Sequence, residues 1–225
     1  MSAPGVRDEL IAAAEALYAE RGIDGVSLRE INAAAGARNA SAVQYHFGDR
    51  QGLLRAILAK HRPAVESERH RLLDRCAASG SAELRDLAGA LVRPLAALLP
   101  VPGGPGYLQV VSDLANRPRP AIDPVAADDP SDSIWRWRTA VEPFLSPEAV
   151  VLHRRFVAIR FTHAELARRT RDRRGSADDL FVSDLVDLVT GLLAAPVSAE
   201  TADRAETRRR ARVSPGTDPA GPAPS

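Results

Sequence analysis

The chain has 225 residues, 45% of them hydrophobic and 26% charged, with a formal net charge of +1. That length and apolar content suffice for one large domain or two small ones with a buried core, and the near-neutral balance excludes a polycation. Any affinity for nucleic acid must therefore come from local clustering of charge.

Arginine supplies 29 of the 30 basic residues, Lys60 being the only lysine. With abundant Ala, Pro and Gly, this is the composition expected of a bacterial chain from GC-rich coding sequence. The single cysteine, Cys76, excludes an internal disulfide and a cysteine-based zinc cluster, and it suits a reducing compartment. Asp8 and Glu9 fall inside the first apolar segment, so no signal peptide is expected. The longest uncharged run, 94–112, contains Pro94, Pro100, Pro102 and Pro105 and is too short and too broken for a membrane helix. A cytoplasmic protein without a membrane partner is expected.

Helical periodicity dominates in chain order, and strand alternation is nearly absent. Leu10, Ala13, Ala14, Leu17 and Tyr18 form the apolar face of a first helix that Gly22 ends. Ser27 with Glu30 three positions on is a capping box opening a second helix near Leu28, which Gly36 closes. A short third helix is predicted over 40–46, broken by Gly48. Asp49 then caps a fourth beginning near Arg50, with Leu53, Leu54, Ile57 and Leu58 facing inward. Beyond Pro63 the spacing predicts helices over 65–78 (continuous with the fourth if proline kinks rather than breaks it), 82–99, 106–116, 131–144, 147–173 and 177–194. Residues 197–225, rich in Pro, Ala, Gly, Glu and Arg with no apolar period, are expected to be a disordered tail.

Two short helices joined at Gly36 and braced by a first make a helix-turn-helix, whose second helix enters the major groove of DNA. The stretch "RNASAVQYHFGDR", 38–50, fits that role. Ala40, Ser41 and Ala42 are small enough to lie deep in a groove. Gln44 carries an amide that can pair with adenine, although a solvated glutamine is as good a reading. Tyr45 and His46 can donate to phosphate, and Phe47 turns inward. Arg50 adds charge at a helix N-terminus, and Arg38, Arg55, Lys60 and Arg62 complete a basic cluster opposed by Asp49 alone. The candidate DNA-binding set is Ser27, Arg29, Arg38, Ser41, Ala42, Gln44, Tyr45, His46 and Arg50.

"VSLREINAAAGARNASAVQYHFGDRQGLLRAIL" resembles the DNA-binding domain of the TetR/AcrR family of bacterial transcriptional regulators. The shared features are the capped second helix at Ser27, the glycine at Gly36, the triplet Tyr45, His46 and Phe47, and the basic residue before a leucine run at Arg50. The chain departs from the family with Asn32 where alanine is usual, with Gln44, and with arginine for lysine at position 50. The resemblance covers about residues 7–60. It implies an all-α protein with a three-helix DNA-binding domain over 1–62, followed by a helical domain over 63–196 that binds an effector and forms a homodimer through its last two helices. A repressor released from a palindromic double-stranded operator by a small-molecule effector is the expected function.

No catalytic cofactor or metal is expected. No Gly-x-Ser-x-Gly, His-Glu-x-x-His or Walker-type loop occurs, "GGPG" at 103–106 lacks the lysine and hydroxyl of a phosphate cradle, and His153 and His163 are ten residues apart. The rival readings are an activator, a regulator whose effector is another protein, and a helical small-molecule-binding or enzymatic protein that uses the second half. Tyr107, Gln109, Trp135, Phe144 and Phe156 are candidate effector-lining residues. Trp135 and Trp137 point about 200° apart on a helix, so one belongs to the core. Leu185 and Val189 are candidates for the dimer surface.

Overall fold

A computed structural model of the chain describes residues 5–37, 39, 41–117, 129, 131–172 and 178–213, the last three by their backbone only. Helices α1 (Val6–Arg21), α2 (Leu28–Ala34) and α3 (Ala42–Phe47) lead into the long α4 (Arg50–Ser79). There follow α5 (Leu84–Ala96), α6 (Gly104–Asn116), α7 (Ser133–Val141) with a 3-10 turn at Glu142–Phe144, α8 (Pro147–Val151), α9 (Arg154–Arg171), α10 (Asp179–Ala194) and α11 (Ala199–Val213). No strand occurs among the described residues, so the fold is all-α, as the periodicity predicts.

Helix α4 runs unbroken through Pro63 and carries the chain from the helix-turn-helix into the larger helical region. The apolar core does not break at residue 62 either: one cluster extends from Leu10 on α1 to Leu193 on α10. Helix α1 lies directly on α6. A Cβ at Gly106 would stand 2.2 Å from the Glu15 carbonyl oxygen, so only glycine permits this approach. Glu15 is 1% exposed, and its carboxylate accepts from Lys60 Nζ at 2.6 Å and is bonded to His61 Nε2 at 2.8 Å. That pairing compensates a charge whose burial is otherwise costly.

In the larger region α5 packs on α4, α7 and α10, while α6 packs on α9. Trp137 is fully buried and its Nε1 donates to the Leu87 carbonyl at 2.7 Å. Trp137 is thus the core member of the tryptophan pair, and Trp135 is half-buried.

Three sequence expectations need correction here. Residues 147–173 are two helices, because His153 takes a left-handed backbone (φ 55°) between α8 and α9. Leu185 and Val189 are buried against the chain's own core, so they cannot face a partner; Leu180 and Leu188, 74% and 49% exposed, are outward apolar residues of α10. The expected tail carries α11 over 199–213. Ser198 Oγ accepts from the Thr201 amide at its start, Glu200–Arg204 and Glu206–Arg210 pair one turn apart, and Ala205 is buried in the contact with α8. Residues 214–225 lie outside the described residues. No single described helix is long and apolar enough to cross a membrane.

Candidate nucleic-acid interface

The helix-turn-helix is built from caps. Ser27 Oγ accepts from the Glu30 amide at 3.2 Å, while Glu30 Oε2 accepts from the Ser27 amide at 2.7 Å. Those Ser27 bonds, with help from Arg21 at 2.7 Å, hold the Glu30 carboxyl down to about 2. At the other end of α2, buried Asn32 reaches across the turn, and its Oδ1 accepts from the Val43 amide at 3.0 Å. Ser41, the residue before α3, makes no side-chain cap, so Asn32 supplies that function from the neighbouring helix. The departure from alanine at position 32 therefore sets the α2–α3 geometry.

The end of α3 is fixed just as firmly. Asp49 Oδ1 accepts from the Gly52 amide at 2.7 Å and caps α4. A Cβ on Gly52 would sit 1.9 Å from the Phe47 carbonyl oxygen, so glycine is what lets α4 start directly beneath α3. Phe47 packs half-buried on the core, with the Arg7 guanidinium 5.2 Å from its ring centroid.

Held at both ends, α3 has an inner and an outer face. Ala42 and Val43 are buried. Ser41, Gln44 and Tyr45 are exposed, Tyr45 to 83%, and the half-exposed His46 ring meets the Tyr45 ring edge-on with centroids 5.0 Å apart. Ser27 and Arg29 are exposed on α2 and its cap. Arg38 and Ala40 lie outside the described residues.

Two sequence expectations read differently in this geometry. Ala42 faces the core, because α3 must bury one side to be anchored. Arg50 turns inward: its Nη1 and Nη2 donate to the carbonyls of Ile23 and Val26, each at 2.7 Å, tying the α1–α2 loop to the start of α4. The basic cluster is thinned in the same way, since Lys60 pairs with Glu15 and Arg62 with Glu66 and Asp132. Arg55 remains exposed.

The five effector-lining candidates are scattered. Tyr107 is buried with its ring 5.3 Å from that of His61. Gln109 is buried, donating to the Ala167 carbonyl at 2.7 Å and to Thr170 Oγ1 at 2.8 Å, and accepting from Arg171. Phe156 lies under the Arg138 guanidinium at 4.8 Å. Of the five, only Phe144 lines the open cleft of about 450 Å³ that Glu148, Leu193, Pro196 and Ala202 also line. Sequence reasoning missed Asn32 and Gly52, whose partners lie on other elements.

The model for bacterial regulatory proteins, tetR family, matches residues 10–57, the span from α1 into α4 that contains every cap described above. None of the curated proteins compared with the chain matches it. This match, together with the anchored and outward-facing α3, supports a DNA-binding transcriptional regulator of the TetR family.

Proposed function

We propose that the protein is a homodimeric repressor, with residues 1–62 holding a palindromic operator and residues 63–196 carrying the dimer surface and a response to a small-molecule effector. The observation that carries the reading is the outer face of α3. A tyrosine 83% exposed beside an exposed glutamine, on a helix six residues long and anchored at both ends, is what a groove-reading element requires. In this reading Gln44 contacts a base edge, while Ser27, Arg29, Ser41, Tyr45 and His46 hold phosphates, with Arg38 as a further contact. Arg50 positions α3 from beneath.

The dimer surface is assigned to α9 and α10, where Phe156, Val157, Leu180 and Leu188 are exposed apolar side chains that a second copy would cover.

The test is fluorescence anisotropy against inverted-repeat sequences from the region upstream of the gene. Gln44→Ala is expected to cost about 1–3 kcal/mol on the operator and to relax preference at one base pair per half-site. Tyr45→Ala should weaken all sequences alike. Of the proposed contacts Arg29 and Arg38 are the arginines, so about two phosphates are neutralised per protomer, which gives a log–log salt slope near −4, and a flat salt response refutes operator binding. Leu188→Glu should yield monomers by light scattering, and an unchanged dimer mass removes this surface.

A further inference from the structure

Arg69 stands in the interior, 3% exposed. Its Nη1 donates to Ser133 Oγ, at the start of α7, at 2.7 Å. Its Nε is buried and meets no acceptor among the described residues. No described carboxylate pairs with it. The acids whose charge reaches it, Glu66 and Asp132, are engaged elsewhere. Glu66 accepts from Arg62 Nε and from the Ser133 amide, both at 3.0 Å. Asp132 accepts from Arg62 Nη2 at 2.8 Å and caps α7 through the Ile134 and Trp135 amides.

Two further groups share this interior. His163 on α9 has its Nδ1 buried with no hydrogen-bond partner among the described residues; burial, with the Arg69 charge added, pushes its pKa down to about 4. The Tyr107 phenol on α6, buried and within reach of the Arg69 charge, is pushed up to about 12 by burial. On the Arg69 face of α4, Val65, Leu72 and Leu73 lie one turn away in either direction and are all buried.

Interiors leave very few polar atoms unbonded, and a buried guanidinium without an ion pair is among the most costly groups a fold can hold. Here one such guanidinium and one unbonded imidazole nitrogen occur on α4 and α9, and the Arg69 charge acts on both His163 and Tyr107. With Nη1 held by Ser133, the edge of Arg69 that contains Nε is the fork a carboxylate meets in two parallel bonds.

We infer that this interior is the seat of an organic acid with an apolar body, its carboxylate on the Nε edge of Arg69 and within reach of His163 Nδ1–H, its body against the apolar face of α4. The inference rests on the effector-responsive reading above and names the chemical class of that effector. Arg69 is closed from solvent, so an occupant must part α4 from its neighbours. The occupied form then differs from the closed one, and a ligand that prefers one form shifts the balance between them.

The test uses sodium octanoate and sodium benzoate against octanamide and benzamide, at constant ionic strength and neutral pH, with the full chain. At saturation each acid is expected to raise the melting temperature by about 3 °C or more and its amide not to. Arg69→Met is expected to lose the acid response and to melt no lower than the parent, because an unpaired buried charge has been removed. Arg69→Gln should lose the response as well, and it serves if the methionine variant fails to fold. An equal rise with acid and amide, no rise with either acid, a rise reproduced by sodium chloride alone, or retention of the response in both variants overturns the site. Both variants melting far below the parent, with no acid response in the parent, would make Arg69 a structural donor to Ser133 only. Acid binding that leaves operator affinity unchanged keeps the site and removes the effector reading. Operator binding without acid binding removes the site and leaves the operator-binding reading standing.

Discussion

The helix-turn-helix and the interior between α4, α6, α7 and α9 use the same residue types in opposite ways. In the first, the caps join residues close in sequence, Ser27 to Glu30, Asp49 to Gly52 and Asn32 to Val43, and the remaining polar side chains of α3 point outward. In the second, partners lie 50 to 70 residues apart, as for Trp137 with Leu87 and Arg62 with Asp132, and polar side chains point at one another. A surface built by local caps leaves its polar groups free for an outside partner. An interior built by long-range bonds must satisfy them within, and Arg69 is where it does not.

The sharpest way to break the comparison is at Gly52. Gly52→Ala forces a methyl onto the Phe47 carbonyl, and a clash with backbone cannot relax by a rotamer change. A loss of about 3 kcal/mol or more in urea unfolding is expected, with operator binding abolished. A melting curve near that of the parent would show that the α3–α4 junction is not rigid.

The interior is probed next by acid. His163 has a folded pKa near 4 against an ordinary 6.5, so between those values the unfolded chain binds more protons at this residue and stability falls as pH falls. Its share is about 2 kcal/mol between pH 7 and pH 5. His163→Gln should remove that share, seen as a smaller difference between urea midpoints at the two pH values. An identical difference in the variant would place the acid sensitivity on other groups.

Asn32→Ala leaves the Val43 amide without its acceptor at a buried site. A cost of about 1–2 kcal/mol is expected, together with faster amide exchange confined to α3. Uniform loss of protection across the chain would mean that α2 and α3 do not form a separable unit.

The smallest effect belongs to Glu30. Its folded pKa near 2 lies below the ordinary 4.5, so its contribution is full above pH 4.5 and fades as pH falls towards 2. An NMR titration should show the carboxyl shift centred near 2 in the parent and moved up in Ser27→Ala.

The same contrast explains what the sequence makes legible. Ser27, Glu30, Gly36, Gly48 and Asp49 announce helix ends because capping acts over three or four residues, and the outward set on α3 follows from those ends. Arg50 is misleading: a basic residue at a helix start suits an anion, but the α1–α2 loop offers two bare carbonyls that no local pattern reveals. Asn32 is visible only as an odd residue in an alanine context, since its partner belongs to the next helix. The interior around Arg69 and His163 cannot be read linearly, because four separate helices bring it together. Helix α11 is hidden by averaging, the Ala, Glu and Arg of 199–213 being diluted by the Pro and Gly that follow.

The continuity of α4 has a mechanical consequence. Thirty residues make a rod about 45 Å long, and Arg69 lies about 28 Å along it from Arg50. A rod converts angle into displacement: a tilt of about 5° pivoting near Arg69 carries the Arg50 end, with α3 seated on it, through about 2.5 Å. Hydrogen bonds to base edges weaken within a few tenths of an ångström of their preferred length. Leverage of this kind lets a rotation too small to disturb core packing shift the outward face of α3 by more than such a bond tolerates.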